Sequence, residues 1–160
     1  MQAAFDRLTP ADRAFGAQAY RTYHQLCRAW AKHYGFGFVQ TVEAFVSLSP
    51  NNDYHGNIRS LTSCMAGLRA GLTDDQITVS TYGTMKRKAL AILRGDVSFL
   101  DTTSGPKIRA FRECILYVEA AKTPVIDGHM AALWHGRHMT MREAAKALQG
   151  VGYARIAADV

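Results

Sequence analysis

The chain has little of what marks a stapled, fibrous or membrane protein. Its three cysteines, Cys27, Cys64 and Cys114, are odd in number and far apart, so no disulfide framework and no four-cysteine iron–sulfur site is expected. Prolines number only four and the 13 glycines follow no period, which excludes collagen-like and low-complexity chains. No apolar run approaches the roughly 20 residues of a membrane span. The opening Met1-Gln2-Ala3-Ala4-Phe5-Asp6-Arg7 also lacks the apolar centre of a signal peptide. A cytoplasmic setting without a membrane partner is therefore expected, in a single domain of 160 residues.

Acidic residues are scarce as well: 13 Asp and Glu face 19 Lys and Arg, a net charge of +6 at pH 7. The excess is local. Between Thr81 and Arg112 stand Lys86, Arg87, Lys88, Arg94, Lys107, Arg109 and Arg112, against only Asp96 and Asp101. Such clustering suits a polyanion, of which a nucleic-acid backbone is the commonest, although a solvated face has the same composition.

What is present is helical periodicity. Thr9-Pro10-Ala11-Asp12 reads as a cap with proline at the first helical position, followed by Phe15, Tyr23, Leu26, Trp30 and Tyr34 at helical spacing up to Gly35. Val42, Phe45, Val46 and Leu48 predict a shorter helix that stops near Pro50. Ile58, Leu61, Met65 and Leu68 predict a third, closed at Gly71, and Thr73-Asp74-Asp75-Gln76 offers a capping box for a short helical turn. Ser80 or Thr81 is expected to cap a helix carrying Tyr82, Met85, Ala89, Ile92 and Leu93, ended by Gly95. After a small segment from Val97 to Leu100, Pro106 opens a helix through Ile108, Phe111, Ile115 and Val118. Asp127 is expected in the first turn of the next helix. Thr140-Met141-Arg142-Glu143 is a further capping box, and Gly152 precedes a final helical piece. Only residues 35–40 and 77–80 read as extended, so the expected class is all-α, an array of about seven to nine short helices.

Four sets of residues invite chemistry. Asp127, at a helix start, is by spacing alone a helix N-cap, and Asn51 and Asn52 follow a proline in a turn where asparagine is favoured for backbone reasons. His129, His135 and His138 lie near one another without a cysteine, a weak pattern for metal, and no metal or other cofactor is expected. Tyr54, Tyr82 and Trp134 are aromatics able to stack on a ligand, though their spacing also suits a core.

The order of motifs adds a resemblance. Leu100-Asp101-Thr102-Thr103-Ser104-Gly105-Pro106-Lys107-Ile108-Arg109-Ala110-Phe111 resembles the hairpin and second helix of the helix-hairpin-helix DNA glycosylases, typified by endonuclease III. Val125-Ile126-Asp127-Gly128-His129, with Asp127 twenty residues past Lys107, is similar to the segment that carries that superfamily's catalytic aspartate. Upstream, Val46-Ser47-Leu48-Ser49-Pro50-Asn51-Asn52 resembles the segment whose amide enters the DNA stack. The likeness spans roughly Val42 to Trp134. Leu-Ser-Pro-Asn-Asn with Ile-Asp-Gly-His also resembles small phage-encoded members, some of which are thought to modify a base rather than remove it. The hairpin departs from the pattern in having Thr103 where a first glycine would sit.

The resemblance implies a helix-hairpin-helix fold and a monomer acting on double-stranded DNA. The activity it implies is excision of a damaged, mismatched or modified base flipped from the duplex. Asp127 would stabilise positive charge building on the sugar, and Lys107 would either attack the anomeric carbon in a strand-cleaving lyase step or contact phosphate. Asn51, or else Asn52, would fill the hole left by the base, with Asn57 in support. Lys86, Arg87, Lys88, Arg109, His129 and the Gly105 hairpin would hold the DNA backbone. Remodelling of a flipped 5-substituted pyrimidine, and a non-catalytic DNA-binding module of the same fold, are the alternatives.

Overall fold

Most helices begin at a proline or an extended capping residue, and several end where a glycine turns left-handed. A computed structural model describes residues 6–7, 9–102 and 105–159, with the side chains of residues 12, 13, 15 and 17 left out. Asp12 of the expected cap and the inward Phe15 lie among those side chains. Thr103 and Ser104 of the hairpin lie outside the described residues. The described residues form nine helices and no strand: α1 (Pro10–Tyr34), α2 (Phe38–Ser47), α3 (Tyr54–Arg69), α4 (Gly83–Arg94), α5 (Phe99–Thr102), α6 (Pro106–Leu116), α7 (Gly128–Trp134), α8 (Met141–Ala147) and α9 (Gly152–Ala158). None is long and apolar enough to cross a membrane. Gly35 and Gly95, with φ of 72° and 81°, close α1 and α4 in a conformation that costs other residues a Cβ clash.

The most apolar helix takes the centre. Thr41, Val42, Ala44, Phe45, Val46 and Ser47 of α2 are all buried, and α2 packs against α1, α3, α4 and α6. A helix buried on most of its circumference can have no polar face. Leu61 and Met65 of α3, Leu90 and Ile92 of α4, Phe99 of α5 and Ile115 of α6 complete this core. A second, smaller cluster joins Ile126, Ala131 of α7, and Tyr153 and Ile156 of α9.

Three local expectations change. Residues 38–40, expected to be extended, begin α2 instead, because the Gly37 amide donates to Gln40 Oε1 at 3.3 Å and the Thr41 hydroxyl donates to the Gly37 carbonyl at 2.9 Å. Thr81 does not cap α4. Its hydroxyl donates to the Pro50 carbonyl, tying the 49–53 turn down, and Tyr82 takes the capping position without a side-chain bond. Residues 73–76 form a turn rather than a helix, closed by Gln76 Oε1, which accepts from the Thr73 amide at 2.8 Å.

The α8 capping box forms as expected. The Glu143 carboxylate accepts from the Thr140 amide and hydroxyl at 2.8 Å each, and from Arg137 at 3.0 Å. Bonds from the Thr140 amide, then its hydroxyl, then Arg137 favour the charged form and hold the Glu143 carboxyl down at about 2, against an ordinary value of 4.5. A depressed folded value contributes stability above the unfolded value and loses it as pH falls through the folded one. Glu143→Gln is therefore expected to lower the melting temperature at neutral pH. Melts recorded against pH should show the difference from the native chain shrinking between about 4.5 and 2.

Candidate active site

The side chains with chemical potential meet where α1, α3, α6 and the start of α7 come together. Proline at the first position of α6 aims the next residue, Lys107, out from the helix start, and Gly105 serves as its extended N-cap with φ of −72°. That conformation is open to any residue, and nothing lies within 4 Å of where a Gly105 Cβ would be. On the other wall, the Tyr153 phenol donates to the Pro124 carbonyl at 2.9 Å and accepts from the Ile126 amide at 3.1 Å. It thereby anchors the extended segment that delivers Asp127.

Asp127 is the N-cap of α7 rather than a residue of its first turn. Its Oδ1 accepts from the amides of His129 and Met130, both at 3.0 Å. Its Oδ2 faces Lys107 Nζ at 3.9 Å. The capping role expected from spacing and the reactive role implied by the resemblance therefore fall on different oxygens of one carboxylate. At 3.9 Å, with side chains 46% and 34% exposed, the Lys107–Asp127 pair adds little stability. Its significance is positional.

Both groups line a cleft of about 320 Å³, near the lower limit of ligand pockets, roughly 300–1,000 Å³. Tyr20, Tyr23, Phe45, Tyr54 and Phe111 wall it. Tyr23 is the hub, its ring centroid 5.4 Å from Phe45, 5.6 Å from Tyr54 and 5.7 Å from Phe111, in tilted or edge-on arrangements that aromatic rings favour. Burial, helped by Cys114, Tyr23, Tyr153 and Asp127 nearby, pushes the Tyr20 phenol up to about 12. It stays neutral at physiological pH and can donate a hydrogen bond there, not act as a base.

Polar groups on the third side come from the 49–57 segment. The Asn52 amide nitrogen donates to the Leu48 carbonyl at 3.2 Å and to Ser60 Oγ at 3.4 Å, and Asp53 N-caps α3 by accepting from the Gly56 amide. Gly56 permits this close turn: a Cβ there would collide with Asn52 Oδ1 and lie 2.9 Å from Asp53 Oδ1. Asn57 lines the cleft, only 4% exposed, and its Oδ1 is buried with no hydrogen-bond partner among the described residues.

Five of the residues singled out in the sequence thus converge: Lys107, Asp127, Asn52, Asn57 and Tyr54. Asn51 sits outside the lining, exposed and at φ of 53°, a left-handed turn position that asparagine tolerates. His129 is exposed beside the α7 cap. Tyr54 lines the cleft, whereas Tyr82 and Trp134 do not, the latter donating to Asp159 Oδ2 at 2.9 Å. No three His, Cys, Asp or Glu among the described residues converge as a metal site would need. Tyr20 and Asp53 were not legible as site residues. Both sit at ordinary helical or capping positions, and only the crossing of α1 over α6 brings Tyr20 to the cleft.

The basic stretch is mostly structural. Lys86 Nζ donates to the carbonyls of Asp74 and Ile77 at 2.7 and 2.9 Å, and Lys88 Nζ donates to the Thr102 carbonyl at 2.9 Å while lying 5.4 Å from the Phe99 ring centroid. Arg94 pairs with Asp74, and Arg112 with Glu43 at 2.8 Å. Arg109 donates to the Leu100 carbonyl at 3.3 Å but keeps an exposed side chain, as do Arg87 and Lys107. Net charge therefore overstates the cationic surface in this stretch.

These placements predict opposite stability effects for two substitutions. Lys86→Ala strips donors from two carbonyls and is expected to destabilise the fold by about 1–3 kcal/mol. Asn57→Ala removes a group that makes no bond and is expected to leave the melting temperature unchanged or raise it. Thermal and urea denaturation of both variants checks the pair.

A family of unknown function, DUF7178, matches residues 1–159. No curated protein and no solved structure matches the chain. With the match covering almost its whole length, the chain belongs to the DUF7178 family.

Proposed function

We propose that this protein is a DNA glycosylase that flips a base from the duplex into the aromatic cleft and hydrolyses its bond to the sugar. The observation that carries the reading is the polarity of the cleft. Its lining combines the buried Phe45 ring and Asn57 amide with the part-exposed side chains of Lys107 and Asp127. A flipped nucleotide has the same polarity: a flat, edge-polar base inside, then a sugar that gains positive charge, then phosphate. The 100–111 and 125–129 segments, which resemble those of helix-hairpin-helix glycosylases, support the same reading.

In this reading the C1′–N bond breaks with its electron pair leaving on the base, and Asp127 Oδ2 stabilises the cationic sugar from one face. Water then adds to C1′ and gives up a proton to the Asp127 carboxylate, while the departed base takes a proton from solvent. The second face of Asp127, occupied by the α7 amides, keeps its orientation fixed through the step. Lys107 grips a phosphate oxygen beside the sugar. A Schiff-base lysine is activated by apolar enclosure or neighbouring cations. Lys107 is 46% exposed and faces a carboxylate, so a lyase step is not part of the proposal.

Duplexes carrying candidate bases, incubated with the protein and analysed by mass spectrometry, are expected to release free base. Asp127→Asn keeps a good N-cap and is expected to fold normally while losing about 100-fold or more in rate. Borohydride reduction during turnover is expected to trap no covalent protein–DNA complex. A nucleoside that gains mass while staying attached would replace excision by base remodelling. DNA binding with no reaction on any duplex, unchanged in Asp127→Asn, would reduce the protein to a binding module.

A further inference from the structure

We propose that a depression on the far side of α3, lined by Arg59, Ser60, Ser63 and Ser80, binds a phosphate of the DNA backbone. The inference rests on the reading above in taking DNA as the ligand, and adds an anchoring site that the motifs do not assign. Arg59 and Ser63 stand four positions apart and so share one face of α3, turned away from Asn57 and the aromatic cleft. With Ser60 and with Thr78, Val79 and Ser80 of the 77–80 segment they bound a volume of about 270 Å³.

The lining offers donors without acceptors to match. Ser60, only 1% exposed, is the clearest case. Its Oγ accepts from the Ser80 amide at 2.9 Å and from Asn52 Nδ2 at 3.4 Å. The Leu48 carbonyl, which can only accept, fixes that Asn52 nitrogen in place at 3.2 Å. A hydroxyl has two lone pairs and one proton. Both lone pairs of Ser60 are used, and its proton has no acceptor among the described residues. The hydroxyls of Ser63, Thr78 and Ser80 also make no bond to a described residue. Neither does the Arg59 guanidinium, in contrast to Lys86, Lys88, Arg94 and Arg112, which the fold engages. No Asp or Glu is among the described residues that line the depression.

An anion with several acceptor oxygens completes such a set, and phosphate is that anion: arginine gives it charge-assisted bonds and hydroxyls give it further ones. The surroundings point to a phosphate of DNA. Asn52 lines the cleft while its amide donates to Ser60 of the depression, so one side chain joins the two. The 49–53 turn borders both, because Ser49, Asn52 and Asp53 face the cleft and the Pro50 carbonyl accepts from Thr81, the residue after Ser80. A duplex whose base enters the cleft passes its backbone over this turn. Arg59, Thr78 and Ser80 are exposed, which leaves the depression open to a strand running across it.

The test is fluorescence anisotropy on duplex DNA. Arg59→Gln and Ser63→Ala remove side-chain groups that make no bond in the fold, and both are expected to keep the native melting temperature. Arg59→Gln should bind about tenfold more weakly whatever the sequence of the duplex. Its plot of log affinity against log salt should be shallower by about 0.9, the contribution of one phosphate. Ser63→Ala should weaken binding in the same sequence-independent way, with an unchanged salt slope. Single uncharged methylphosphonates, placed in turn along both strands, locate the contact. At one position the substitution should weaken the native protein about tenfold and leave Arg59→Gln unaffected.

A folded Arg59→Gln that binds DNA with the native affinity and salt slope overturns the inference. So does a scan in which every methylphosphonate weakens the variant as much as the native protein. Native-like DNA binding by Arg59→Gln, joined to loss of a thermal shift that inorganic phosphate gives the native protein, would assign the depression to a free anion instead. DNA binding that Arg59→Gln weakens as expected, with no base released from any duplex, would keep the phosphate site and remove the glycosylase reading. A native protein without affinity for DNA contradicts both.

Discussion

The carboxylate of Asp127 joins the two halves of the molecule's chemistry, because its two oxygens are held by different things. Oδ1 takes the amides of His129 and Met130 and so starts α7. With that oxygen fixed, the side chain cannot rotate freely, and Oδ2 is left 3.9 Å from Lys107 at the cleft mouth. The capping bond is thus also an orienting bond. Tyr153 extends the constraint, since its phenol binds the backbone on both sides of Val125 and belongs to the α9 cluster. The small C-terminal helices consequently have a positional role: they hold one wall of the cleft against the larger core.

The larger core supplies the other walls. Tyr23, Phe45 and Phe111 come from α1, α2 and α6, and their mutual contacts both pack those helices and form the aromatic surface of the cleft. Loss of any one ring would affect stability and site together. Asn57 behaves differently, because its side chain contributes no observed bond to the packing. This contrast between packed rings and an unbonded amide within one cleft makes the site open to dissection by substitution.

The readable parts of the sequence are those governed by local physics. Pro10, Pro106, Gly35, Gly95 and the Thr140–Glu143 box mark helix ends through backbone geometry or short-range bonds, and the helices form there. The all-α outcome, with nine helices among the described residues, agrees with the periodicity. Thr81 misleads because its hydroxyl is drawn to the distant Pro50 carbonyl, a tertiary contact invisible in the local sequence. Lys86 and Lys88 mislead in the same way: as a run they look like an open cationic face, yet each ammonium satisfies backbone carbonyls from other segments. Lys107 and Asp127 are legible through motif order, whereas Tyr20 and Asp53 depend on helix crossings.

The central claim is that a base leaves the duplex and enters the cleft walled by Tyr20, Tyr23, Tyr54 and Phe111. Photocrosslinking tests it most directly. A duplex with a single 5-iodouracil opposite an abasic site, bound and irradiated, attaches covalently to the aromatic side chain its base touches, and mass spectrometry of the peptides identifies that residue. Attachment at these cleft aromatics is predicted. Efficient attachment confined to residues outside the cleft, such as Tyr82 at the start of α4, would contradict the account.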